Sequence, residues 1–148
     1  MKIINIKNND NYINEYIILC NKEWGNNIID DEYIENKKNK IINGDKVISV
    51  LGLINNDILI GFISLFTNDG INNNLTPWYA TMFVKEEYRG KGYSKILNDA
   101  IIKEATKLGY KKLYLKTNLI NYYEKFGAKY IEGLSSGESL YYIKLNKE

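Results

Sequence analysis

The residues best suited to chemistry lie in Arg89-Gly90-Lys91-Gly92-Tyr93-Ser94, where two glycines alternate with two cations. Trp78 to Val84, just upstream, is apolar and rich in aromatic and β-branched residues, as in a strand covered on both faces. Downstream, Tyr93, Ile96, Leu97, Ala100, Ile101, Ala105 and Leu108 recur at helical spacing, which turns Asn98, Asp99, Lys103 and Lys107 mostly to water. A strand-loop-helix unit leaves the first N–H groups of the helix without intrahelical partners, and glycine lets the backbone approach a ligand closely. With the helix dipole and the charges of Arg89 and Lys91, such a loop suits a diphosphate. The plainer alternative is a tight turn with two solvated cations. The segment lacks the Gly-Lys-Ser/Thr ending of a Walker loop and the third glycine of a dinucleotide fingerprint.

The elements that must position this loop follow in chain order. A short strand is expected over Ile3 to Ile6. A helix capped by Asp10 follows, with Ile13, Tyr16, Ile17, Cys20 and Trp24 on one stripe and Gly25 as its stop. A second helix starts near Asp30 or Asp31, faces Ile34, Ile41 and Ile42 inward and ends at Gly44. Val47 to Ile54 and Ile58 to Phe66, divided by Asn55-Asn56-Asp57, read as an antiparallel hairpin. Asn68-Asp69-Gly70 to Asn72-Asn73-Asn74 reads as a loop, and Pro77 sits at the mouth of the fourth strand. After the helix from Gly92 to Leu108, closed by Gly109, Lys111 to Lys116 forms a fifth strand, parallel to the fourth. Asn118 would cap a short helix carrying Leu119, Tyr122, Tyr123 and Phe126, with Gly127 as its stop. Strands over Ala128 to Ile131 and Leu140 to Leu145 complete an α/β chain.

A chain of 148 residues, 45% hydrophobic, suits one domain, 1–148, with one core. A net charge of +2 gives no argument for nucleic-acid binding, and Lys37-Lys38 with Lys40 reads as a solvated helix face. No spanning segment or signal-peptide core is seen, so a cytoplasmic protein without membrane contact is expected. Heavy use of Ile, Asn, Lys and Tyr points to an AT-rich coding genome, with a bacterial source expected. The chain has no histidine and one cysteine, which excludes a Cys/His zinc site and His-based triads. No metal is expected, and Cys20 is expected to pack rather than react.

Arg89-x-x-Gly92, preceded by a strand that ends at Val84, resembles the acetyl-CoA signature Arg/Gln-x-x-Gly-x-Gly/Ala of the GNAT superfamily of N-acetyltransferases, with Ser94 in the last position. Tyr122-Tyr123-Glu124-Lys125-Phe126-Gly127-Ala128 is similar to the superfamily's Tyr-Glu-Lys-x-Gly-Phe segment, although Ala128 replaces the final Phe. The resemblance implies a GNAT-type three-layer α/β (α+β) fold, a mixed sheet of about seven strands flanked by helices. It implies acetyl-CoA as cosubstrate and a small-molecule or protein amine as acceptor, attacked directly through a tetrahedral intermediate. Its site residues carry over as Tyr123 near the cofactor sulfur, as proton donor, the loop Arg89, Gly90, Lys91, Gly92, Tyr93 and Ser94, the strand edge Met82, Phe83 and Val84, and Asn118, or failing that Asn121. Tyr123 can equally be a core aromatic and Asn118 a helix cap. A phenol near ~10 can protonate a leaving thiolate near ~8.5 when well positioned.

Trp24, Tyr33 and Trp78 are candidates to wall the acceptor pocket, each with a core alternative. Trp78-Tyr79-Ala80-Thr81-Met82 carries no carboxylate, so the base stays open among Glu23, Glu32 and a water held by Tyr79 and Thr81. Two rival expectations remain, an acyl-CoA-binding sensor or partner module without transfer and a scaffold without cofactor. A monomer or homodimer is expected.

Overall fold

The computed structural model describes residues 1–70 and 74–145. At its centre is the hairpin of β2 (Val47–Asn55) and β3 (Ile58–Phe66), turned by Asn56 and Asp57, both with positive φ (51° and 65°). Asn and Asp tolerate that conformation, and a two-residue turn with both φ positive matches the twist of paired strands. The sequence analysis expected β1 over Ile3 to Ile6; it runs Lys2–Asn5, and Ile6 is buried just past its end. The seven strands lie in the order β1-β2-β3-β4-β5-β7-β6. β4 is Trp78–Val84 and β5 is Lys112–Thr117; β7 (Ser139–Lys144) inserts between β5 and β6 (Ala128–Gly133). All neighbours are antiparallel except β4 and β5. The mixed seven-stranded sheet and three helices match the expected fold class.

Helices cover both faces. α1 (Asp10–Trp24) and α2 (Asp31–Asn43) lie on one, where Ile13, Tyr16, Ile17 and Ile41 pack with Val50, Phe62 and Trp78. α3 (Tyr93–Lys107) lies on the other, where Leu97, Ile101 and Ala105 meet Leu53, Ile63 and Leu113. Burying each of these aliphatic side chains is worth about 1.5–3 kcal/mol. The α1 cap is Asn9, whose side chain accepts from the Tyr12 N–H, so the expected cap Asp10 sits in the first turn instead. Asp30 caps α2 through the Tyr33 N–H. Asn98, expected to face water, is 1% exposed and donates to the Ser94 carbonyl at 2.9 Å.

The helix expected after β5 is reduced to a single 3-10 turn, Tyr123–Phe126. Asn121 has φ 61°, which interrupts a right-handed helix, and exposed Leu119 and Ile120 give it no buried face. Asn118 therefore caps nothing; it is exposed, and Thr117 Oγ1 accepts from the Leu119 N–H at 3.0 Å. Asn68 to Gly70 form the expected turn, with the Gly70 N–H donating to Asn68 Oδ1, while Asn72 and Asn73 lie outside the described residues. Among the described residues no helix is long and apolar enough to cross a membrane.

Candidate active site

β4 and β5 pair at one position, Trp78↔Tyr114, and then part. Inside the opening, β4 carries a bulge: Ala80 faces Ser64 and Phe83 faces Phe62, so Thr81 and Met82 together oppose Ile63. Thr81 has φ 46°, an outlying conformation for a β-branched residue. It is held by hydroxyl hydrogen bonds to Ser64 and, at 3.1 Å, to Tyr16, whose own hydroxyl lies 2.6 Å from that of Ser64. At the far end of β4 the Lys85 N–H donates to the Ile60 carbonyl across the hairpin side. Strand alternation then turns the Val84 main chain toward the opening. There its carbonyl accepts from Arg89 Nε at 2.7 Å, and the guanidinium lies 5.4 Å from the Phe83 ring centroid.

The loop from Arg89 to Ser94 delivers the start of α3 beside this opening. Gly90 (φ 78°) and Gly92 (φ 83°) are left-handed, as the tight turn requires, and a Cβ on either would meet nothing within 4 Å. Gly92 is the N-cap, no side chain caps the helix, and its first turn holds no acidic residue. The leading amides therefore have no side-chain acceptor, and the exposed cations Arg89 and Lys91 stand beside them. Half-buried Tyr93 and Ser94 complete the turn, and the Tyr122 hydroxyl donates to Ser94 Oγ at 3.4 Å.

Tyr122 links this loop to Tyr123: their ring centroids are 4.8 Å apart, and Tyr123 in turn meets the edge of Tyr79 at 5.4 Å. The Tyr79 hydroxyl is buried without a hydrogen-bond partner of good geometry among the described residues. Burial, and then the neighbouring Tyr123, drive its pKa far above that of an ordinary phenol. Tyr123 is also raised, first by burial, with the Tyr79 hydroxyl opposing and Tyr122 reinforcing the shift. Its proton is thus firmly held at neutral pH.

A cavity of about 980 Å³ opens from Tyr79, Thr81, Met82 and Tyr123 toward α1 and α2. Trp24 and Tyr33 line it, and Trp24 also meets Phe83 edge-on at 6.3 Å. Trp78 does not: it is 0% exposed, tilted against Tyr114, and its indole N–H donates to the Leu75 carbonyl, so its place is the core. Asn118 is on the surface, apart from these contacts. Glu23 and Glu32 do not line the cavity; Asp69 and Glu138 do, and neither was legible as a site residue. Lys37 and Lys40, exposed as expected, border it too. Burial pushes the Cys20 thiol up to about 12, so it is inert at neutral pH.

The family model described as "Acetyltransferase (GNAT) family" matches residues 13–128. L-ornithine N5-acetyltransferase NATA1 of Arabidopsis thaliana is 33% identical over 82 residues, 51% of this chain. The match covers 36% of that relative, so the chain spans about a third of its length. Among solved structures, an aminoglycoside 6'-N-acetyltransferase complexed with coenzyme A superposes with TM-score 0.75 at 17% identity, covering 100% of this chain and 99% of the other. The PaiA N-acetyltransferase of Thermoplasma acidophilum, in complex with coenzyme A, gives TM-score 0.59 at 21% identity, covering 97% and 99%. At these identities the structural likeness concerns the fold.

Proposed function

The chain belongs to the GNAT acetyltransferase family, and on that premise we propose that it is a single-domain, acetyl-CoA-dependent N-acetyltransferase acting on a primary amine of a small molecule or protein. The observation that carries this reading is the parting of β4 from β5 after Trp78↔Tyr114, directly beside the uncapped start of α3. Acetyl-CoA supplies an activated thioester. The amides from Gly90 to Ser94, with Arg89 and Lys91, hold its diphosphate in the space that Gly90 and Gly92 leave open. The Met82 to Val84 edge receives the pantetheine arm as a strand is added to a sheet, with the Val84 N–H facing the opening. That the PaiA and aminoglycoside enzymes carry coenzyme A supports this assignment.

The amine enters through the cavity past Trp24 and Tyr33 and attacks the thioester carbonyl directly, giving a tetrahedral intermediate stabilised by backbone N–H groups. Tyr123, which keeps its proton at neutral pH, gives it to the departing thiolate. β4 itself carries no carboxylate, and we assign the proton of the incoming ammonium to water in the open cleft.

That same missing carboxylate favours a second reading, a module that binds acyl-CoA without transfer. One experiment separates the two. Thiol release from acetyl-CoA is followed with a panel of primary amines while melting is recorded with the cofactor. Amine-dependent thiol release carries the enzyme reading. Background release, with melting still raised, carries the binding module. Unchanged melting removes both.

A further inference from the structure

We propose that the acceptor is a small amine bearing an anionic group, carboxylate or phosphate, with Lys37 and Lys40 of α2 receiving the anion. This rests on the acetyltransferase reading above and narrows its substrate class.

The inference comes from how charge is divided around the cavity. Its described lining holds four lysines, Lys37, Lys40, Lys46 and Lys116, against two carboxylates, Asp69 and Glu138. The carboxylates do not balance the wall made by α2. Lys116 and Lys46 are the cations that act most on Asp69, Lys116 first, pulling its carboxyl down against the upward push of burial. Glu138 acts on the same Asp69 carboxyl, so the two carboxylates share their side of the cavity with Lys46 and Lys116. Across the cleft, neither Lys37 nor Lys40 has a carboxylate within ion-pairing distance among the described residues; the neighbouring Lys38 pairs with Glu35 instead.

Lys37 and Lys40 are exposed, yet both stand at the cavity. With Tyr33 and Ile41 they fall at i, i+4, i+7 and i+8, the side of α2 that borders the cavity. Lys37 lies over the Tyr33 ring with Nζ 5.9 Å from the centroid, so its charge sits at the aromatic wall of the cavity. A polycationic acceptor would meet a wall of like charge, whereas an amine with an anionic tail gains two partners there. The surplus positive charge also disfavours the ammonium form of any amine in the cleft, which helps where β4 itself carries no carboxylate.

The test compares acceptors that differ in the anion alone: lysine against cadaverine, phosphoethanolamine against ethanolamine, with kanamycin as the polycation. Thiol release from acetyl-CoA gives kcat/KM for each. The expected result is a preference of roughly three- to ten-fold for an anionic member, the size two solvent-facing cations in a cleft provide, weakening as salt is added. Which pair shows the larger preference tells carboxylate from phosphate. Lys37→Gln combined with Lys40→Gln is expected to bring the ratio toward one, mainly through KM for the anionic member. Equal or better use of cadaverine, ethanolamine or kanamycin overturns the inference and leaves acetyl transfer standing. A preference that survives the double substitution overturns the assignment to α2. Absence of transfer to every acceptor, with melting still raised by acetyl-CoA, overturns the inference together with the catalytic reading.

Discussion

Tyr123 meets Tyr79 edge to face, with ring centroids 5.4 Å apart, at the inner end of the opening between β4 and β5. On the proposed function, the pair offers a protonated phenol to the departing thiolate. Tyr123→Phe keeps the ring contacts with Tyr79 and Tyr122 and removes only the hydroxyl. Turnover is expected to fall about 100-fold, the low end of general-acid contributions, with little change in acetyl-CoA affinity. Because the Tyr123 pKa is raised, the acid form persists through the alkaline range, and any loss of kcat from its ionisation lies above the ordinary phenol value of ~10. An unaffected kcat in the variant would return Tyr123 to packing.

Gly92→Glu should eliminate the thermal shift by acetyl-CoA, because it places a carboxylate where the diphosphate would sit. The fold offers no clash to a side chain there, only the strain of φ 83°, which Asn tolerates. Gly92→Asn is therefore expected to retain the shift. At a ligand concentration one hundred times Kd the native stabilisation is ~2.7 kcal/mol, several degrees for a chain of this size. Equal shifts in the two variants would remove the loop from the site.

Gly61→Ala tests the packing behind β4. A Cβ at Gly61 would stand 2.6 Å from the Phe83 carbonyl oxygen and 3.3 Å from Leu97 Cδ1. The first is backbone, so β4 itself must move, at an expected cost of about 1–3 kcal/mol. Chemical denaturation should show that loss. Activity should fall more than stability alone explains, because the displaced strand carries Val84. A neutral variant would mean that the contact relaxes freely.

Ser64→Ala removes the hydroxyl shared by Tyr16 and Thr81. Those two then have only each other, at 3.1 Å, to hold a left-handed threonine. The expected cost is about 1–3 kcal/mol, with lower turnover as the bulge loosens. Urea midpoints and kcat, measured together, check both parts. Unchanged turnover would confine the network to stability.

Alkaline pH should weaken the fold, with a sign fixed by burial. The Cys20 thiol keeps its proton to about 12 when folded, against an ordinary value of 9.0. The unfolded chain releases that proton first, so the contribution is complete below about pH 9 and is lost as pH rises toward 12, at up to ~1.4 kcal/mol per unit. Tyr16, Tyr79 and Tyr123, all raised, add to the loss above ~10. Cys20→Ala should delay the onset by about one unit, visible in urea midpoints taken across that range.

The strand pattern was legible because Val47 to Phe66 repeats β-branched and aliphatic residues around a turn that Asn56 and Asp57 can make. The Gly90–Gly92 turn could be read from residue type, since few side chains accept its backbone. Other parts depend on contacts that spacing does not encode. Asn98 falls on the polar side of the helical pattern, yet α3 is covered there and its amide finds the Ser94 carbonyl. Trp78 looked like a pocket wall as an aromatic at a strand start, but its indole N–H is satisfied by Leu75 within the core. Nothing in the residue type of Thr81 announces a left-handed bulge; its partners Tyr16 and Ser64 are remote in sequence. The placing of Lys37 and Lys40 emerges only once α2 is docked.

A sheet fastened across its middle at Trp78↔Tyr114 behaves as two sheets sharing a hinge line. Strands β1 to β4 and strands β5, β7 and β6 can open to solvent with different free energies, so amide exchange should resolve two protection classes in the free protein. On the proposed function, a cofactor paired with the β4 edge fills the gap between the halves and is expected to couple them. Occupancy should therefore merge the two exchange classes as well as raise the melting point.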